Sequence, residues 1–340
     1  MVADGRDAPQ DGPRPWSQAW SAGRAFWSAG PGSDGPAAHF RTSTHVGSVL
    51  AEALLVLLRE VDDRLGRPTE LDVVDVGAGR GELLAELLRI ADPDLAARLR
   101  PVGIDLLARP EGLDVRIRWI QGEVPTCLPD GVRGLLVAHE LLDELPVDVV
   151  VADEAGVLRT VLVDDEGTEV LGDEPDERVR SWVATWWGGL HPGDRAECGV
   201  ARDEAWRACV GAVEAGTALA VDYGHVCDER QSGRYAAGTV ASYRDGGSVP
   251  ARPDGRTNLT AHVAVDAAVA ATEALPGSAY APVRQREALR ALGVSGALPD
   301  LAIARTDPSA YADALTRASQ ASELLDPAGL GAFWWLRHDV

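Results

Sequence analysis

Leu71-Asp-Val-Val-Asp-Val-Gly-Ala-Gly-Arg-Gly-Glu-Leu-Leu84 decides how this chain of 340 residues is read. It opens as a hydrophobic strand, passes through a glycine-rich turn and continues as an amphipathic helix. Glycines in such a turn adopt conformations closed to other residues and let backbone N–H groups and a helix N-terminus approach a polar ligand. Asp75 lies at the strand end, and Asp105 closes a later apolar run. Two carboxylates so placed favour a ligand bearing hydroxyls and an amine, which is the chemistry of a nucleotide-like cofactor. The glycines are Gly77, Gly79 and Gly81, spaced G-x-G-x-G rather than the G-x-G-x-x-G of dinucleotide binders. S-adenosylmethionine therefore fits better than a dinucleotide. Taken alone, the pattern is also that of a structural glycine turn in any α/β protein.

Around this stretch, strands alternate with helices. Strands are predicted at Leu71–Val76, Pro101–Ile104, Arg116–Ile120, Gly134–Ala138, Thr217–Val221 and Gly238–Tyr243, with a last one at Gly331–Arg337. Helices are predicted at Val46–Leu65, Glu82–Ile90, Glu177–Trp187, Asp203–Glu214, Val263–Leu275, Gln285–Leu292 and Tyr311–Leu324. Thr44 or Ser43 would cap the first of these. Short apolar strands joined by helices imply a mostly parallel sheet covered on both faces. Ligand groups should gather beyond the C-terminal ends of its strands. That rule brings Gly77–Gly81, Asp105, Gln121 and His139–Asp143 to one mouth.

Residues 1–15 read as a disordered tail, residues 16–70 as an N-terminal helical cap or lid, and residues 71–340 as one Rossmann-like domain. Insertions interrupt that domain at about 147–190, where a hairpin turns at Asp153–Gly156, and at about 275–328. Trp16, Trp20 and Trp27 fall on one helical face, suited to core packing or to a substrate channel. Gly30–Pro36 is a turning loop that would let Phe40–His45 fold over the cleft.

Composition narrows the class. Hydrophobic residues make up 46% of the chain, enough for a large core. The formal charge of -21 opposes duplex DNA and anionic membranes, so nucleic acid is not an expected partner, whereas a cationic acceptor would be attracted. No apolar run reaches the length of a membrane span, and residues 1–14 carry no secretory signal pattern. Cys127, Cys198, Cys209 and Cys227 form neither CxxC nor a zinc spacing and read as reduced thiols. A cytoplasmic protein without a metal is expected. His139-Glu-Leu-Leu-Asp143 has the opening of HExxH but lacks its second histidine.

Six stretches in order resemble the MidA-like S-adenosylmethionine-dependent methyltransferases, from about Phe40 to Arg337. They are His39-Phe-Arg-Thr-Ser43, Asp75-Val-Gly-Ala-Gly-Arg-Gly81, His139-Glu-Leu-Leu-Asp-Glu-Leu-Pro146, Asp222-Tyr-Gly-His225, and Leu259-Thr-Ala-His262 followed by Gln285–Gly293. The departures are His45 for the family's acidic residue, His139 for its asparagine and Ala78 for its usual proline. The resemblance implies a class I methyltransferase, with mitochondrial members that methylate an arginine during respiratory complex I assembly. It implies a protein acceptor with a cationic group. A small-molecule O- or N-methyltransferase and a non-catalytic S-adenosylmethionine-binding assembly factor share the same fold, and a homodimer is compatible with it.

On this basis each residue receives a role. Gly77, Gly79 and Gly81 turn around the methionine end of the cofactor, and Asp75 organises that turn or receives the amino group. Arg80 binds the carboxylate or holds the loop. Asp105 accepts both ribose hydroxyls, Gln121 offers an edge contact to adenine, and His139 stands at the cofactor mouth. Glu140 and Asp143, three apart and so neighbours on a helical turn, would hold a guanidinium or take its proton. Tyr223 and His225 would line the acceptor site, and Glu144 would lie on the surface.

Overall fold

Alternation of apolar residues on two faces builds the central sheet. In the computed structural model, which describes residues 12–24, 46–244 and 247–340, its strands are β1 (Leu71–Val76), β2 (Leu99–Asp105), β3 (Arg118–Gln121), β4 (Val132–His139), β5 (Val213–Asp222) and β6 (Trp334–Asp339). They lie in the order β3-β2-β1-β4-β5-β6. The first five are mutually parallel, and β6 runs antiparallel to β5. Two short strands, Ser278–Ala279 and Val283–Arg284, pair with the outer side of β6.

Val73, Leu135, Val137, Leu219 and Val221 face helices Val49–Arg64 and Glu82–Ile90. Their neighbours in sequence, Val74, Leu136, Ala138, Ala218 and Ala220, face Trp206, Cys209 and Val210 of helix Val200–Gly211. Burial on both sides is why these strands read as continuous apolar runs. This is the Rossmann-like, mostly parallel sheet expected, with its hairpin and helical insertions.

The hairpin insertion becomes a sheet of its own. Asp148–Ala152, Leu158–Val163, Glu169–Leu171 and Arg195–Cys198 join antiparallel. Arg14 and Pro15, placed in the tail by the sequence reading, pair with Val163 and Leu162 as a fifth strand. Odd positions Val147, Val149, Val161 and Val163 pack against Trp16 and Trp20 of helix Trp16–Gly23. Val150 points the other way, to Trp182 and Val183 of helix Glu177–Trp186. Trp16 and Trp20 are thus core residues, while Trp27 and the expected lid Phe40–His45 lie outside the described residues.

Helix boundaries shift modestly from the sequence reading. The long N-terminal helix starts at Val49, where the Ser48 hydroxyl bonds Glu52 at 2.9 Å, and the two expected caps lie outside the described residues. The expected helix at Tyr311–Leu324 starts earlier, at Pro308, because the Asp307 side chain accepts from Ala310 N–H. The strand expected at Gly238–Tyr243 forms at Ala241–Arg244. Among the described residues no helix is long and apolar enough to cross a membrane.

Candidate active site

All five parallel strands end on the same side, and the polar residues beyond them are tied together by backbone bonds. After β1, Gly77, Gly79 and Gly81 have φ of 77°, 57° and 80°, the left-handed region that favours glycine. A side chain at Gly77 would meet Leu141 at 2.9 Å, and one at Gly81 would meet Leu113 at 2.7 Å. The N–H groups of Gly77 and Ala78 both reach the Ile104 carbonyl, at 2.9 and 3.0 Å, which locks the turn onto β2.

Asp105 completes that lock. Its two oxygens accept from Gly79 N–H at 2.9 Å and Leu107 N–H at 2.8 Å. The next strand is tied in by Gly122 N–H to the Asp105 carbonyl, also 2.9 Å. Gln121 donates to the Leu106 carbonyl at 3.1 Å, and the Trp119 indole to that of Leu107 at 2.9 Å. Trp119 lies so close to Gly103 that a β-carbon there would meet the ring at 2.6 Å. The residue is therefore part of the packing beneath the turn. Arg80 is exposed, and its backbone N–H donates to Glu82 at 3.0 Å.

Asp75 is buried in β1, and burial together with the charges of Asp105 and Glu82 pushes its carboxyl up to about 8. Among the described residues no hydrogen-bond donor reaches that carboxyl.

The other half of the mouth is built on β4 and β5. Glu140 follows β4 directly with φ of 51°, a conformation uncommon outside glycine, and its N–H donates to the Val221 carbonyl at 2.8 Å. His139 Nε2 lies 3.6 Å from Glu140 Oε1. The expected helical turn from Glu140 to Asp143 does not form. Asp222, at the end of β5, accepts instead from Leu142 N–H at 2.8 Å and Asp143 N–H at 3.2 Å. Those two N–H groups are thereby tied to the buried end of β5, and residues 141–143 form a loop. Asp143 is buried, takes the Tyr223 hydroxyl at 2.5 Å on Oδ2 and has no hydrogen-bond partner on Oδ1 among the described residues.

Sequence reasoning missed Arg202 here and gave Asp222 and Glu144 other surroundings than the structure does. Arg202 sends its guanidinium from helix Val200–Gly211 into the interior. It donates to the carbonyls of Asp143 at 2.7 Å, Leu145 at 2.9 and 3.0 Å, Ala261 at 2.7 Å and His262 at 3.1 Å. An arginine on a helix reads as surface, so only the burial reveals it. Asp222 belonged to a recognised stretch, but its grip on the 142–143 loop was not foreseen. Glu144 is half-buried rather than on the surface. It accepts from Asn258 at 2.8 Å, and burial and Asp143 raise its carboxyl well above the usual range.

His225 is 1% exposed and takes the Arg230 guanidinium on Nδ1 at 3.0 Å. A guanidinium only donates, so Nδ1 carries the lone pair and Nε2 the hydrogen. Burial and Arg230 push this imidazole down to about 3, and burial and Arg202 push His262 down to about 4. Both rings belong to an aromatic cluster with Trp187, Tyr235, Tyr223 and Phe333, at centroid separations of 4.7 to 6.1 Å. Tyr223 links the cluster to Asp143. His225 is thus held inside this packing and not presented at an open mouth.

Residues 49–280 match the model of the family described as "Putative S-adenosyl-L-methionine-dependent methyltransferase". The chain belongs to that family. This methyltransferase is also similar to a crystal structure of a COG1565 superfamily member from Burkholderia thailandensis bound to S-adenosyl-homocysteine. The TM-score is 0.75 at 24% identity, over 97% of this chain and 88% of that one. A native crystal structure of a COG1565 superfamily protein from the same organism gives a TM-score of 0.74 at 25% identity, over 97% and 88% of the two chains. No curated protein matches the methyltransferase in sequence.

Proposed function

We propose that the methyltransferase holds S-adenosylmethionine over Gly77–Gly81 and transfers its methyl group to a cationic nitrogen of a protein, with arginine the leading acceptor. The observation that carries this reading is a crowd of buried carboxyls at the mouth that outnumbers the two arginines acting on it, Arg24 and Arg202. Asp75, Asp105, Asp143, Glu144 and Asp222 all have carboxyls raised by burial, and like charges among them raise several further. Cations brought by ligands would relieve that repulsion.

The local geometry fits an adenosyl cofactor. Gly79 leaves the tip of the turn open, where a β-carbon would meet only Glu82 at 3.7 Å, and the Asp75 carboxyl, without a donor among the described residues, suits an ammonium. The oxygens of Asp105 keep lone pairs beyond those used by Gly79 and Leu107, and these suit ribose hydroxyls. Gln121 and Leu106 then border the base. The cofactor supplies an electrophilic methyl on sulfur when bound. The chain's part is to hold the acceptor nitrogen in line with it and to exclude water. Glu140 follows β4 directly and is fixed by the Val221 carbonyl, so it is the residue assigned to hold the guanidinium and accept its proton. Asp143 and Tyr223 act beside it as a hydrogen-bonded pair.

A small-molecule acceptor is the second reading, favoured by the aromatic cluster joined to Asp143 through Tyr223. The test uses methyl-labelled S-adenosylmethionine with lysate fractionated into protein and small molecules. Label in protein, recovered as methylarginine after acid hydrolysis, supports the first reading. Label confined to the small-molecule fraction overturns it.

A further inference from the structure

Helix Trp16–Gly23 precedes the family-matched residues 49–280, yet it delivers a charged group to the mouth. Trp16 and Trp20 anchor it in the core shared with Val147, Val163 and Leu259. Gly23 is pressed against the 253–255 backbone so closely that a β-carbon would meet the Pro253 carbonyl oxygen at 2.7 Å. The helix end is therefore fixed from two sides, and the next residue, Arg24, has its direction set.

The Arg24 side chain is only 13% exposed and forms an ion pair with Glu123. Glu123 stands two residues beyond the end of β3, next to Gly122, whose N–H bonds the Asp105 carbonyl. Burial raises the carboxyls of Asp105 at the end of β2 and Glu144 beyond β4, and the Arg24 guanidinium, within electrostatic reach of both, offsets part of that rise. Because β1 lies between β2 and β4 in the sheet, a cation whose charge acts on residues of both flanks stands on the side of the β1 turn. Arg24 Nε is buried and has no hydrogen-bond partner among the described residues. An arginine guanidinium has five donors in a fixed plane, and one left buried without an acceptor calls for an explanation.

We infer that Arg24 is a roof over the adenosine half of the cofactor: Glu123 holds the guanidinium edge-on, its face covers the purine, and Nε–H donates to a lone pair of the bound nucleoside. Guanidinium planes stack well on flat π-systems, which a lysine ammonium cannot reproduce. The N-terminal helix thereby becomes part of the nucleoside site. This rests on the cofactor placement proposed above.

Calorimetry separates the two ideas. Wild-type protein is titrated with S-adenosylhomocysteine and with 5′-methylthioadenosine, which keeps the nucleoside but lacks the amino-acid end. Failure of the wild type to bind S-adenosylhomocysteine overturns the cofactor placement itself. With wild-type binding in hand, Arg24→Ala is expected to weaken both ligands by the same factor, roughly tenfold. Arg24→Lys should recover only part of the loss. Glu123→Gln, which leaves the helix untouched, should reproduce a smaller loss for both ligands and serves if Arg24→Ala does not fold. Unchanged affinity in Arg24→Ala overturns the roof. So does a loss seen with S-adenosylhomocysteine but not with 5′-methylthioadenosine, because Arg24 would then serve the cofactor's carboxylate.

Discussion

The Asp105 carboxylate accepts the N–H of Gly79 across 2.9 Å, so the side chain that ends β2 shapes the turn that follows β1. Asp105→Ala should therefore act twice. It leaves two N–H groups without their acceptor, a stability loss of about 1–3 kcal/mol, and it removes the proposed ribose acceptor. Gly79→Val forces a β-branched residue into φ of 57° at the same place. Both variants should bind S-adenosylhomocysteine at least tenfold more weakly by calorimetry. Full affinity in folded variants would remove the cofactor from this turn.

Asp75 gives a pH signature. Its folded carboxyl sits at about 8, far above the unfolded value, so folding takes up a proton between the two. Its contribution to stability is fully present below about pH 4. It is lost progressively as pH rises toward 8. Asp75→Asn should abolish that loss, so its melting temperature should gain on the wild type from pH 5 to pH 8. If an ammonium docks there, cofactor binding by the wild type should release protons over the same window, visible as a buffer-dependent binding enthalpy. Parallel melting curves for the two proteins would show that Asp75 ionises normally.

Glu140→Gln keeps size and hydrogen bonding but loses charge and basicity. Under the proposed mechanism turnover should fall on the order of a hundredfold. S-adenosylhomocysteine affinity should change less than twofold. An equal drop in both quantities would place Glu140 at the cofactor rather than at the acceptor.

Arg202→Met should leave the carbonyls of Asp143, Leu145, Ala261 and His262 without their shared donor. A loss of about 3–5 kcal/mol is expected by urea unfolding. Amide exchange should accelerate together in residues 141–145 and 261–263. Loosening of one segment alone would mean that Arg202 does not couple them.

The fold was legible because its evidence is local. The strand Leu71–Val76, its glycine turn and the helix after it each carry their own pattern of apolar spacing and conformational demand. The mouth was legible to the extent that the sheet rule gathers strand ends, and Asp75, Asp105, Glu140 and Asp222 all stand there. What failed was the inference from spacing to contact. Glu140 and Asp143 are three apart, but Glu140 takes a φ of 51°, which no right-handed helix contains, and Asp222, from a distant part of the chain, holds the next residues in a loop. Arg202 and Glu144 show the same limit from another side, since a charged residue next to apolar neighbours reads as solvated until the fold closes over it. His225 sits in a recognised stretch, and only its bond to Arg230 reveals which nitrogen carries the proton.

Arg202 has one more consequence. Its guanidinium is planar and rigid, so the carbonyls of Asp143, Leu145, Ala261 and His262 sit at distances set by a single group of fixed size. Lengthening or shortening either segment would pull carbonyls off that template. The two segments cannot be respaced independently, and variation on this scaffold must come from exchanging side chains on segments whose separation stays constant.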